Sequence, residues 1–177
     1  MIQINHMGQY YIFVDIDTMQ GLHNEYTGVK LMEITPNGWS YFMRLVCSLM
    51  SPNGPWYRHR VVLAGDYYNE TDNHEMDYYN DSTRVTFPRV VALETHEHHY
   101  YFINHIKKCY VSLTFEGDDQ LHPLPLLLAL GNGRGGGDYY GPQMDLIGSW
   151  AGDLVSVEKT IPNGYQPLDV SFREIIN

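Results

Sequence analysis

The sequence predicts a single α+β domain over residues 1–177, built mainly from antiparallel sheet, with two helices and two pseudo-repeated halves. Three observations predict this fold class. The 177 residues are 44% hydrophobic and 14% aromatic, which is enough to bury one core. Strand-like segments rich in Val, Ile and Tyr recur between turn residues. The order of patterns in residues 10–65 returns in residues 100–158.

The first half is predicted to contain three strands and one helix. The strands are expected at residues 10–17, 29–34 and 56–65. β-Branched and aromatic residues are frequent in these segments, as is typical of strands. From Trp39 to Met50, apolar residues recur at helical spacing. Ser40 can cap this helix, and the Pro-Asn-Gly-Pro segment at 52–55 ends it.

The second half repeats this order. A hairpin is expected from Tyr100, with its turn near residues 106–107. The His-Pro-Leu-Pro segment at 122–125 begins a second helix, because proline suits a first helical turn. That helix is apolar on all sides, so it should be buried before Gly131 ends it. Residues 150–158 are predicted to form the closing strand.

Short matches of sequence relate the two halves. Tyr10-Tyr11 matches Tyr100-Tyr101, and Trp56 followed by Val61-Val62 matches Trp150 followed by Leu154-Val155. An acidic loop over residues 66–83 separates the halves, and alternating apolar residues predict a final half-buried strand at 168–176. Chance similarity within a β-rich chain is the alternative to an internal duplication.

The glycine-dense stretch LGNGRGGGDYYG is the first candidate site. Its backbone N–H groups can converge on an anion, and an arginine can add a bidentate donor to a phosphate. The predicted ligand-binding residues are Asn132, Gly133, Arg134, Gly135, Gly136, Gly137, Asp138, Tyr139 and Tyr140. A purely structural turn is the alternative, because the loop follows a helix and lacks the Gly-Lys-Ser/Thr of phosphate loops.

The acidic loop between the halves is the second candidate site. It has no Lys or Arg and could meet a basic protein surface in a salt-sensitive way. The candidate contact residues are Glu70, Asp72, Glu75 and Asp77. Three Asp-Tyr-Tyr triplets, at 66–68, 77–79 and 138–140, offer tyrosines for stacking, for a protein contact or for ordinary packing.

A histidine-rich segment, ETHEHHYYFINH, is a third and weaker candidate. The side chains that could form a metal site are His96, His98, His99, His105, His122, Glu94 and Glu97. A solvated polar turn is favoured instead. Acidic pairs such as Asp15 and Asp17 are too common to count as evidence of a catalytic site. We therefore expect no metal and no cofactor. No Ser-His-Asp order, nucleophile elbow or His-Glu-x-x-His motif assigns catalytic residues.

Composition narrows the functional classes. The net charge of −10, with only 11 Lys and Arg, argues against direct binding of duplex nucleic acid. No apolar run is long enough for a membrane span, and the first residues are unlike a secretory signal. The two cysteines, Cys47 and Cys109, are expected to be free thiols. A cytoplasmic protein is expected, with its oligomeric state left open and a homo-oligomer among the choices.

Several motifs resemble a widespread family of small proteins from bacteria, phages and prophages that has no established activity. They are MGQYY, VKLMEI, RVVLAGDYY, YYFINHIKKCYV, HPLPLLLALGNGRGGGDYYG and IGSWAGDLVSVE. Members begin at the equivalent of Met7, which implies that the first six residues are an extension. Members carry a lysine-rich hairpin turn where this chain has Asp15 to Met19. The resemblance implies no activity and no site residues.

Three functions from different classes stay open. The favoured one is a phage-type accessory protein that binds a small anionic ligand, such as a signal nucleotide, and counters host defence. The second is an acidic inhibitor of a basic, nucleic-acid-binding host complex of the CRISPR type. The third is a metal-dependent enzyme. The phage resemblance favours the first two by analogy, and it would place the protein in the host cytoplasm.

Overall fold

The computed structural model describes residues 8–23, 29–36, 38–69, 76–115 and 117–174, and it has an α+β fold. The strands are β1 Tyr11–Asp15, β2 Gln20–Leu22, β3 His59–Gly65, β4 Thr83–Val85, β5 Tyr101–Asn104, β6 Cys109–Ser112, β7 Ala129–Leu130, β8 Leu154–Glu158 and β9 Gln166–Pro167. The helices are α1 Leu31–Ile34, α2 Tyr41–Leu49, α3 Tyr78–Asp81 and α4 Pro123–Leu128. A single 3₁₀ turn covers Met144–Leu146.

The nine strands form one mixed sheet in which antiparallel pairs predominate. Its order is β4-β2-β1-β3-β8-β5-β6-β9, and β7 pairs with β3 beside this path. The parallel pairs are β2 with β4, β3 with β7, and β6 with β9. The first hairpin, β1–β2, leads through α1 and α2 to β3, which pairs with β1. The second hairpin, β5–β6, leads through α4 to β8, which pairs with β5.

Side-chain alternation gives the sheet two faces of unequal size. Phe13, Val61 and Phe102 point into the larger core, together with the buried sides of α2 and α4. Val14 and Val62 point to the opposite face, where a smaller cluster forms around Tyr68. The larger cluster follows from two helices, α2 and α4, whose apolar residues cover one side of the sheet.

The helix α2 forms as its sequence predicts. The Ser40 hydroxyl accepts a hydrogen bond from the backbone N–H of Met43 at 3.2 Å, which satisfies one of the free amides of the first turn. Val46, Cys47 and Leu49 are fully buried on its inner side. A local cap and a regular apolar stripe are therefore sufficient to define this element.

The structure has four α-helices within the described residues, so the prediction of two helices is wrong. The segment 29–34, predicted as a strand, contains only a bridge from Val29 to Tyr11 before α1 begins. The carboxylate of Glu33 accepts the backbone N–H of Lys30 at 3.0 Å, which stabilises the first turn of α1. This local bond favours helix over strand.

The ends of two other elements differ from the predictions. Helix α4 stops at Leu128 rather than at Gly131, because Ala129–Leu130 pairs with β3 as β7. The strand expected at 168–176 is also wrong in the part described, since the only strand nearby is Gln166–Pro167. The side chain of Gln143 contacts the backbone of this segment, donating to the carbonyl of Asp169 and accepting from the N–H of Ser171.

His122 is the N-cap of α4, and its ring is buried in the core. Its Nδ1 accepts the backbone N–H of Leu124 at 3.3 Å, and its ring lies fully buried against Trp39 and Phe115. Burial lowers the pKa of His122 to about 3. The unfolded chain protonates this residue near pH 6.5. Between these values the unfolded state binds more protons, so the free energy of unfolding falls as pH falls.

We predict that replacing His122 with Asn removes this part of the pH dependence. Asn keeps a capping acceptor but does not titrate. Urea unfolding between about pH 7 and about pH 5 should show the wild type losing up to about 1.4 kcal/mol per pH unit more than the variant, since one buried histidine then accounts for one proton. Parallel pH curves for the two proteins would contradict the assignment.

Candidate functional site

The predicted ligand loop closes on the carboxylate of Asp138, which is only 5% exposed. Its Oδ2 accepts hydrogen bonds from three successive backbone amides, those of Gly133 at 2.7 Å, Arg134 at 2.9 Å and Gly135 at 3.1 Å. The Nε2 of Gln9 donates to the same oxygen at 2.9 Å, and the Tyr11 hydroxyl donates to Oδ1 at 2.7 Å. Burial and the neighbouring Asp138 raise the pKa of Tyr11, so its phenol remains a donor. The loop therefore forms an anion-binding nest around the protein's own carboxylate.

The other loop residues make further bonds within the chain. Arg134 donates from its guanidinium to the carbonyls of Tyr67, at 3.0 Å, and Tyr68. Asn132 exchanges two hydrogen bonds with the backbone of Tyr139. Gly136 and Gly137 use their carbonyls to accept the backbone N–H groups of Gln9 and Met32. Tyr139 is fully buried, whereas Tyr140 is 60% exposed. Anion binding by this loop stays a prediction, and an incoming anion would have to displace Asp138.

Glycine at positions 65 and 131 leaves room for the Gln9 side chain. A Cβ at Gly65 would lie 2.3 Å from the Oε1 of Gln9, and one at Gly131 would lie 2.6 Å from the same atom. Gly131 also has a φ of +100°, which side chains other than glycine rarely adopt. Gly-Gln-Tyr-Tyr and the glycine stretch are separate motifs in the sequence. In the fold they contact each other, because Gln9 and Tyr11 donate to Asp138.

A second site is a cavity of about 600 Å³ between the β2–β4 edge of the sheet and helices α1 and α2. Its lining consists of Leu22, His23, Val29, Glu33, Ile34, Ser40, Tyr41, Phe42, Leu45, Thr86, Phe87 and Pro88. Seven of these side chains are apolar, and Glu33 is the lining residue with a carboxylate. The cavity could not be predicted from sequence, because its walls come from four separate stretches of the chain, 22–23, 29–34, 40–45 and 86–88.

A third cluster joins the end of β1 to the start of β3. The buried carboxylate of Asp15 lies 2.7 Å from the Nδ1 of His59 and accepts the Thr18 hydroxyl at 2.7 Å. Asp17, in the turn after β1, is paired with Arg60, whose Nε lies 2.8 Å from one carboxylate oxygen. The pairing of β1 with β3 brings these groups together. Asp15 and Asp17 are visible as a pair in the sequence. His59 is 44 positions from Asp15, and no sequence pattern links it to them.

The histidines considered as an alternative metal site lie apart from one another in the structure. His96, His98 and His99 are exposed, whereas His105 follows β5 at the opposite end of that strand and His122 is buried at α4. The one group of metal-ligand side chains found among the described residues is Asp15, Asp17 and His59.

His105 belongs to a polar network on the outer face of the second half. Burial and the nearby Arg58 guanidinium lower the pKa of His105, which favours a neutral ring. Its Nε2 lies 2.7 Å from the Ser156 hydroxyl, which donates to Glu158 at 2.6 Å. Tyr57 donates to the other oxygen of Glu158 at 3.0 Å. Ser156 is fully buried, so its hydroxyl is out of reach of a substrate and the network is structural.

The acidic loop is described only in part. Glu70, Asp72 and Glu75 lie outside the described residues. Asp77 is the N-cap of α3, where its carboxylate accepts the backbone N–H of Asn80 at 3.0 Å. Contact of this loop with a basic partner stays a prediction.

Comparisons of this chain with protein families, with curated proteins and with solved structures find no match. None of the helices in the described ranges has the length and apolar character that crossing a membrane requires. The candidate sites are therefore judged on their own geometry.

We predict that Asp138→Asn lowers the free energy of unfolding by about 3 kcal/mol, because the Asn amide would turn a donor toward donors that have lost their charged acceptor. Chemical unfolding measures this loss. Asp118→Asn is the matched control, since Asp118 is exposed and should change stability by less than about 0.5 kcal/mol. Equal stability of the two variants would show that the Asp138 carboxylate does not hold the loop.

Proposed function

We propose that this protein binds a small, largely apolar molecule in the cavity beside α1 and α2. The volume of about 600 Å³ carries the proposal, because it falls within the range of roughly 300 to 1,000 Å³ common for small-molecule sites. Seven of the twelve residues that line the cavity are apolar, and hydroxyl groups and a carboxylate are among the others, as is common in ligand sites.

The lining favours a neutral or cationic ligand. Leu22, Ile34 and Phe87 supply apolar contact, whereas Ser40 and Tyr41 offer hydroxyl groups. No lysine or arginine is among the lining residues given above. Glu33 contributes negative charge, so an anion would meet repulsion there. The ligand class that fits is an apolar molecule with a hydroxyl or amine group. A nucleotide bound at the glycine loop remains a separate prediction.

We also propose that residues 10–65 and 100–158 are related halves of one duplicated unit. The two hairpins support this proposal. Asp15 and Asn104 each end the first strand of a hairpin and accept backbone N–H groups of the following turn. Met19 and Lys108 each end that turn with a positive φ, of 52° and 53° respectively. These similarities match Tyr11 with Tyr100, one position away from the match made on sequence.

The closing strands support the duplication independently. Val61 pairs with Asp15, and Val155 pairs with Asn104. The two strands β3 and β8 then pair with each other at the centre of the sheet, antiparallel, as a pseudo-twofold arrangement requires. Trp56 and Trp150, each in the segment before its strand, are both buried.

We predict that filling the mouth of the cavity weakens binding of a neutral apolar dye. Thr86 is exposed and lines the cavity, so Thr86→Phe places a ring there with little cost to the fold. Fluorescence titration with Nile red should give saturable one-site binding in the wild type, weakened at least about tenfold in Thr86→Phe.

Thr83→Phe is the matched control, because Thr83 is also exposed and near the same edge but does not line the cavity. It should bind the dye as the wild type does. The anionic dye ANS should bind less tightly than Nile red, because of Glu33. Absence of saturable Nile red binding, or equal affinity in all three proteins, would overturn the proposal. If Nile red binds as expected, native mass spectrometry of protein purified from cells would identify a small molecule retained in the cavity.

A further inference from the structure

We propose that Asp15, Asp17 and His59 form a binding site for a divalent transition metal ion of the Zn²⁺ type. One ligand atom from each of these side chains lies within 4.8 Å of the others. A carboxylate pair with one imidazole suits Zn²⁺, and three protein ligands leave a position open for water or another small ligand. This site is separate from the apolar cavity and is independent of the function proposed for it.

The fold fixes the three ligands from two elements. Asp15 ends β1 and lies fully inside the protein. Asp17 is in the next turn, and His59 begins β3, the neighbouring strand. The side chains of Asp17 and His59 are 30% and 31% exposed, so an ion can enter from solvent and meet a buried ligand behind them. The β1–β3 strand pair holds Asp15 and His59 rigidly, whereas Asp17 lies in the turn and is positioned by its pairing with Arg60.

The charge of the cluster favours a cation. Two carboxylates face one guanidinium, that of Arg60, which pairs with Asp17. A divalent ion held by Asp15, Asp17 and His59 would add positive charge between the two carboxylates.

Metal binding requires the three ligands to move together: atoms that now lie within 4.8 Å of one another must approach to roughly 3.3 Å. Asp17 must also give up one of its bonds to Arg60, whose Nε and backbone N–H donate to its two carboxylate oxygens. The 2.7 Å between Asp15 Oδ2 and His59 Nδ1 is a hydrogen-bond distance. Ligand atoms about 2.0 Å from a tetrahedral ion would lie roughly 3.3 Å apart, so the pair must open by about half an ångström. The Thr18 hydroxyl donates to the same Asp15 oxygen at 2.7 Å and would orient it as an outer-shell partner.

In the second half, the place that corresponds to the proposed metal site contains a lysine ammonium group. There Asn104 donates to Asp153 at 2.8 Å, as His59 pairs with Asp15, and the Lys107 ammonium lies 2.5 Å from the same Asp153 oxygen. Thr18 stands where the second half has Lys107, so the first half lacks this ammonium. The correspondence rests on the proposed duplication, whereas the three-ligand geometry stands without it.

The test is titration of the full chain, after dialysis against EDTA, with Zn²⁺ by calorimetry and with Co²⁺ by visible absorption. We expect one equivalent of Zn²⁺, a cobalt spectrum of low coordination number, and a Zn²⁺-dependent rise in Tm. His59→Gln and Asp17→Asn should each weaken Zn²⁺ binding at least about tenfold. Both positions are partly exposed, so these variants should fold, which circular dichroism checks.

His96→Gln is the matched control, because His96 is exposed and outside the cluster. It should bind Zn²⁺ as the wild type does. Loss of affinity in His96→Gln with none in His59→Gln would overturn the site and move it to the histidine-rich segment. Equal affinity in all variants, or no binding by the wild type, would also overturn it. Nile red binding in the same variants separates this result from the cavity proposal.

Discussion

The burial of the Asp138 carboxylate is the constraint on which much of the structure depends. Five donors surround it, three of them consecutive backbone amides. Hydrogen bonds to a charged group are worth about 1.5 to 3 kcal/mol each, but removing a carboxylate from water offsets much of that gain. The network therefore contributes specificity more than net stability. It fixes which loop lies against the start of β1, because few other arrangements can satisfy a buried negative charge.

The hydrogen bonds to Asp138 fix the start of β1 against the loop that follows β7. Gln9 and Tyr11 hold the start of β1 to the loop that follows β7, and both β1 and β7 pair with β3. Three strands are thereby brought into register by one carboxylate and its donors. The far end of β1, at Asp15, is placed by the same pairing, opposite Val61. The position of Asp15 in the proposed metal site therefore depends on the bonds to Asp138 at the opposite end of β1.

Local signals could be read from the sequence, and contacts between distant residues could not. The cap of α2 at Ser40 and the hairpin turn at 106–107 are local, and both are present. The start of α1 depended on a bond from Lys30 to Glu33 that competes with strand propensity. Residues as far apart as Gln9 and Asp138, separated by 129 positions, carry no pattern that joins them. The glycines of the stretch 130–141 indicated that backbone amides could surround an anion. They did not indicate that this anion is the carboxylate of Asp138.

The two halves differ in how the polar groups around their hairpins are paired. In the second half, the Lys107 ammonium meets Asp153, and the Ser156 hydroxyl joins His105 to Glu158 within the sheet face. In the first half, the equivalent turn has a threonine instead of that lysine, and the His59 side chain is 31% exposed. The cavity is lined by residues of this half together with Thr86, Phe87 and Pro88, which follow it in the chain. The proposed metal cluster uses side chains of the first half. At the place in the second half that the proposed duplication matches with it, Asn104 and Lys107 both donate to Asp153, so these side chains bond to one another.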